Sequence, residues 1–188
     1  MRTVRSWSTA WGVLLIMAAA GMGAEQKVPV TFSGGHETDP RDGGRPVVLV
    51  AAGLGVTPDV FRDAFRGVTP ARGRKPSPEE ARRNKDALMK VLKPQGVTND
   101  RLDEVSDYYR YRPEKGELWP TAAAKANAIV IDGKIQKIVV TEPGSGFCSP
   151  PEATLKGFEK MTFQVTLKFD KDLKQNGGIE SIRLLDGK

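Results

Sequence analysis

The sequence predicts an α+β fold, with N-terminal helical hairpins followed by a C-terminal antiparallel β-meander. Three observations carry this prediction. Up to about residue 120 the apolar residues recur at helical spacing behind capping signals. From Thr121 the spacing turns to alternation, as in "ANAIVIDGKIQKIVV" and "MTFQVTLKF". Asp132-Gly133 and Asn176-Gly177 punctuate the alternating runs as hairpin turns. The chain therefore divides into a leader over 1–24, a mostly helical region over 25–120 and an antiparallel β region over 121–188.

The leader comes first. Arg2 and Arg5 precede the apolar run Trp11 to Ala20, and "GMGAEQ" supplies small residues for cleavage near Gly23 or Ala24. The run is shorter than the about 20 residues a membrane span needs. It reads as a secretory signal, with an uncleaved anchor as the alternative. The expectation is an exported protein, periplasmic, cell-surface or secreted, with no transmembrane span in the mature chain. Cys148 is the only cysteine, so no intrachain disulfide can form and the fold rests on burial. Without Arg2 and Arg5, the 29 basic residues become 27 against 23 acidic ones. Ten of them fall in residues 62–93, against only Asp63, Glu79, Glu80 and Asp86. One segment makes the protein basic.

"KVPVTFS" (Lys27 to Ser33) alternates, and Pro29, which lacks a donor, suggests an edge strand. "GGHETDPRDGG" follows, a polar loop holding the only histidine, His36. "RPVVLVAAGLGVTPDVFRDAFRGV" reads as two helices. Pro46 suits a first helical position, Gly53 or Gly55 is the stop, and Thr57 caps the second helix with Pro58 at N1. Val60, Phe61, Ala64 and Phe65 form its apolar stripe. A strand followed by "GLG" would open a dinucleotide fingerprint, but Pro58 stands at the third glycine and no acidic residue follows at the ribose distance.

"TPARGRKPSP" is a linker, and Ser77 with Glu80 makes a capping box for a helix to about Lys93. Leu88, Val91 and Leu92 lie on one of its faces. Thr98 caps a further helix carrying Leu102, Val105 and Tyr109. Gly-Val-Thr thus recurs about 41 residues apart, each time joining two helices. In the β region Ile135-Gln-Lys-Ile138 matches Ile179-Glu-Ser-Ile182, each behind a Gly-containing turn. Residues i and i+3 of a flat strand point to opposite faces. If both pairs line one core, each strand must carry a bulge or bend.

"DGKIQKIVVTEPGSGFCSPPEATL" resembles the short G-x-I-x-x-I-x-V-T-x-x-G-S-G-Y-T-S-P-P β-repeat of bacterial surface proteins and phage tail fibres. The resemblance covers Gly133 to Leu155, with a degenerate second copy from Met161. Phe147 stands for the repeat's Tyr and Cys148 for its Thr. It implies local β-structure and no enzymatic activity. Residues 24–120 resemble no family of known activity.

His36, Glu37, Asp39 and Asp42 are the right residue types for a metal centre, and His36 is the single catalytic candidate. Their spacing fits neither a zinc helix nor a calcium loop. The preferred reading is a polar loop whose side chains splay toward solvent or cap helix N-termini. "DKDLKQNGGIE" (Asp170 to Glu180) fails as a calcium loop because Lys174 and Gln175 stand at ligand positions. Cys148 has no adjoining base and reads as a turn residue. "DYYRYRPEKGELW" interleaves Tyr108, Tyr109, Tyr111 and Trp119 with Arg110 and Arg112. Such a mixture suits a binding face, while Tyr109 on a helix face and Trp119 at the junction of the two regions suit a core.

The candidate binding residues are therefore Arg82, Arg83, Lys85, Tyr108, Arg110, Tyr111 and Arg112. The function expected is an exported, non-enzymatic, envelope-associated binding or structural module without a cofactor. Its partner would be an anionic polymer, a lipid headgroup or an acidic protein. Nucleic acid is disfavoured by the leader. The alternative is a small metal-dependent hydrolase built on the His36 loop.

Overall fold

The computed structural model describes residues 24–69, 76–110 and 115–185. Residues 1–23 of the expected leader therefore lie outside the described residues, as do Tyr111, Arg112 and most of the linker. Four helices and antiparallel strands make up the rest, a mixed α+β fold.

The helices follow the local signals. Val47–Leu54 forms α1, Pro58–Phe65 α2, Pro78–Leu92 α3 and Asn99–Tyr108 α4. "VVLVAA" is helical despite its β-branched residues, and Pro46 is its cap rather than its first residue. Burial decides this: Val47, Leu49, Ala51 and Leu54 are all enclosed, with α2 and α4 packed beside α1. Thr57 accepts from Val60 N and Thr98 from Arg101 N, and Ser77 with Glu80 closes a full capping box. Both Gly-Val-Thr turns are built alike. Gly55 and Gly96 are left-handed, and the next residue's N–H returns to the helix, Val56 to Ala51 O and Val97 to Leu92 O. α2 packs on α3, so the two hairpins share one core of Leu49, Phe61, Leu92, Leu102 and Val105.

The strands are β1 (Gln26–Ser33), β2 (Lys125–Ile131), β3 (Lys134–Glu142), β4 (Glu152–Leu155), β5 (Thr162–Lys168) and β6 (Gly178–Leu185). The edge-strand expectation for β1 fails. It lies inside a sheet ordered β3-β2-β1-β4, pairing with β2 over Gln26–Val30 and with β4 over Val30–Ser33. Pro29 falls before the β4 pairing begins, so only one flank is engaged at the residue without a donor. Inserting β1 also interrupts the meander, although β2–β3 and β5–β6 remain antiparallel hairpins.

β3 runs beside β6 and β4 beside β5, so sheet and hairpin wrap one core containing Val30, Ala128, Leu155, Val165, Ile179 and Ile182. Ile135 and Ile138 pack against that same core. The pairing shows how. Ile129 faces Lys137 and Val130 faces Ile135, leaving Gln136 as an extra residue. Thr166 faces Ser181 and Leu167 faces Ile179, leaving Glu180. The bulge therefore falls at the same place in both Ile-x-x-Ile segments and turns both isoleucines inward.

Candidate functional site

The His36 loop is fastened to the turn after β3. Cys148 N and Ser149 N donate to Gly35 O at 2.9 and 3.2 Å. Gly35 has φ 90°, and a Cβ there would strike the Phe147 ring, so this close approach requires glycine. His36 lies flat on Phe147, centroids 5.2 Å apart, with Trp119 edge-on at 6.2 Å. Its Nδ1 is 3.3 Å from Gly146 O, which also accepts from Trp119 Nε1 at 2.8 Å. A carbonyl oxygen only accepts, so His36 donates through Nδ1 there and Nε2 is left as the acceptor.

The four candidate ligands do not converge, although Asp39 and Asp42 share Arg62 as a partner. Glu37 accepts from Ser149 Oγ at 2.6 Å and from Gly35 N at 2.9 Å, and the Ser149 bond holds its carboxyl below the usual range. Asp39 accepts from Arg41, through the backbone N–H and through a forked side-chain contact reaching 2.6 Å. That contact lowers its pKa to about 2. Asp42 is almost fully enclosed, against the expectation of a solvent-facing side chain, and is forked by Arg62 at 2.8 and 2.9 Å. Among the described residues no three His, Cys, Asp or Glu side chains converge as a metal would require. Cys148 Sγ sits against Glu37 O, and burial raises its pKa to about 11, which keeps the thiol protonated and poorly nucleophilic at neutral pH.

Beside this loop lies a cleft of about 410 Å³ between the 3-10 turn Pro40–Asp42 and α2. Arg41, Arg45, Arg62 and Arg66 line it over a floor of Val47, Phe61 and Phe65. Arg62 meets Asp42, Asp59 and Asp39, which raises its pKa further, and Arg66 meets Asp63. Arg45 differs from the rest. Its guanidinium lies over the Phe65 ring at 4.2 Å, Nη1 donates to Asp42 O at 2.9 Å, and no carboxylate among the described residues pairs with it. Sequence reading missed Arg45; its stacking partner is twenty positions away, and only the apolar stripe of α2 hinted at it.

The sequence-predicted binding residues separate in space. Arg82 and Arg83 are exposed on α3, whereas Lys85 turns to α4 and meets Asp103 at 2.6 Å. Lys90 is exposed farther along α3, and Lys93 is exposed at its C-cap, where a 3-10 turn begins. Tyr108 is half-buried edge-on to Tyr109 at 5.0 Å, and Arg110 is exposed but paired with Asp107 at 2.6 Å. Tyr109 and Trp119 are core residues, and burial lifts the Tyr109 pKa to about 12. No helix among the described residues is long and apolar enough to cross a membrane. No protein-family model, curated protein or solved structure matches the chain.

Proposed function

We propose that this chain is an exported, non-enzymatic binding or structural module of the cell envelope that engages an anionic partner through the outward face of α3. The observation that carries it is the arrangement of charge on that helix. Arg82, Arg83, Lys90 and Lys93 are exposed at positions that repeat with the helical period, interrupted only by Glu79 and Asp86. Arg82, Lys90 and Lys93 have no ion-pair partner among the described residues. A face of this kind attracts polyanions through a field that salt screens. The resemblance of Gly133 to Leu155 to surface-protein repeats and the signal-like leader both support an envelope setting.

Reversing Arg82, Arg83 and Lys90 to glutamate changes the face by six charges. This variant should lose adsorption to anionic polymer or anionic vesicles, and the wild type should lose it as salt rises above about 0.15 M, where the screening length falls below about 8 Å. Adsorption that ignores both changes would remove the reading. The hydrolase alternative needs Asp42 to leave Arg62 and Glu37 to leave Ser149 before any metal could gather them. Breaking the buried Asp42–Arg62 pair alone would cost about 3–5 kcal/mol.

A further inference from the structure

The arginine cleft beside α2 is independent of the α3 face and has a chemistry of its own. Three of its arginines are matched by aspartates, Arg62 by Asp42 and Asp59 and Arg66 by Asp63 within the cleft, and Arg41 by Asp39 just outside it. Arg45 is the exception. Stacking on Phe65 and the bond from Nη1 to Asp42 O fix its plane, while Nε and Nη2 have no hydrogen-bond partner among the described residues. A held guanidinium with two parallel donors to spare is a fork for an oxyanion. The neighbouring aspartates repel a second negative charge, so the cleft favours a monoanion over a phosphate dianion.

A second cleft of about 250 Å³ also reaches Arg45, lined by Pro46, Val50, Phe61 and Tyr109 with Ser106 and Arg110, the latter paired with Asp107. Arg45 and Phe61 belong to both clefts. The guanidinium therefore stands where an arginine-rimmed cleft with an apolar floor meets a mainly apolar one. We infer that this pair of clefts is a binding site for an amphipathic monocarboxylate. The carboxylate sits on Nε and Nη2 of Arg45, and the apolar body runs past Phe61 toward Val50. The larger cleft, about 410 Å³, falls within the about 300–1,000 Å³ that ligand pockets span, and the smaller one would extend it.

The test uses the mature chain, 15N-labelled, titrated with octanoate, acetate and octylammonium. Octanoate should saturate below about 10 mM and shift the Arg45 Nε–H, Val50 and Phe61 signals. Acetate lacks the apolar body and should bind at least about tenfold more weakly. Octylammonium should not compete. Arg45→Gln should weaken octanoate by about tenfold or more, the loss expected when a charge-assisted fork is removed. Adsorption of that variant to anionic polymer should stay unchanged, because α3 is untouched. Should Arg45→Gln unfold, Arg45→Lys decides the matter, since it keeps the charge and loses the fork, and it too should weaken binding. Octanoate shifts mapping elsewhere, equal affinity in either variant, or octylammonium competing as well would each overturn the inference.

Discussion

Asn176 occupies the point where the helices meet the β5–β6 hairpin, and its side chain is fully enclosed. Nδ2 donates to Leu49 O and Tyr109 Oη, both at 2.8 Å, and Oδ1 accepts from Asp170 N at 3.1 Å. Leu49 O keeps its place in the α1 ladder, so truncation strands chiefly the Tyr109 hydroxyl and the Asp170 N–H. Leaving a buried polar group unpaired costs about 1–3 kcal/mol. Asn176→Ala should therefore lower stability by roughly 3 kcal/mol, moving the urea midpoint without changing the slope. A shift within about 0.5 kcal/mol, the usual scatter of surface substitutions, would sink this account. The sequence marks Asn176 only as a turn residue. Nothing in it announces that the amide reaches a helix carbonyl 127 positions away. Thr57, Ser77 and Thr98 were legible for the opposite reason: each cap bond closes within three residues. His36 shows the same divide. Its glycine-rich surroundings read as a loop, and residues 34–39 are neither helix nor strand, but its stacking on Phe147 joins residues 111 positions apart and leaves no local trace.

At the scale of elements, the two Ile-x-x-Ile segments set a geometric problem that the sequence states and the bulges solve. Gln136 and Glu180 are exposed, yet each sets the register of its strand. Deleting Gln136 would restore regular alternation and send either Ile135 or Ile138 away from the core. Ile135 and Ile138 are partly buried, so exposing one costs at most the roughly 1.5–3 kcal/mol of a fully buried isoleucine. The deletion should therefore destabilise the protein by about 2 kcal/mol, whereas Gln136→Ala keeps the extra residue and should be nearly neutral. Thermal or urea melts of the two variants separate backbone length from side-chain identity. If both behave alike, the bulge does not set the register. The place of β1 was not legible in this way. Alternation and Pro29 announce a strand, but sheet order depends on which distant strands share its core-facing side, and a single strand's pattern does not record that.

At the scale of the molecule, the described residues form two cores, and the question is whether they melt separately. Several ties cross the seam. Leu173, from the loop between β5 and β6, is buried in the helical core. Arg101 in α4 donates to Gly53 O and to Lys171 O, capping the end of α1 while gripping that same loop. Trp119 packs in the helical core and donates to Gly146 O beside Phe147, which belongs to the β core. β1 adds a further tie, because the chain must supply this strand to the sheet before it enters the helices. Separate melting would expose Leu173 and strand Asn176 and Arg101 together. Polar losses of about 1–3 kcal/mol apiece are large against the total stability of a domain, about 5–15 kcal/mol. One cooperative transition should follow. Trp119 makes this measurable, because it is the sole tryptophan from Ala24 onward, and a chain begun at Ala24 omits Trp7 and Trp11. Its fluorescence reports the seam, while far-UV ellipticity reports mainly the helices. Urea curves from the two probes should superimpose in the mature chain, and in Asn176→Ala they should shift together. Fluorescence that changes well before ellipticity would show the seam opening first, with the helical hairpins standing on their own.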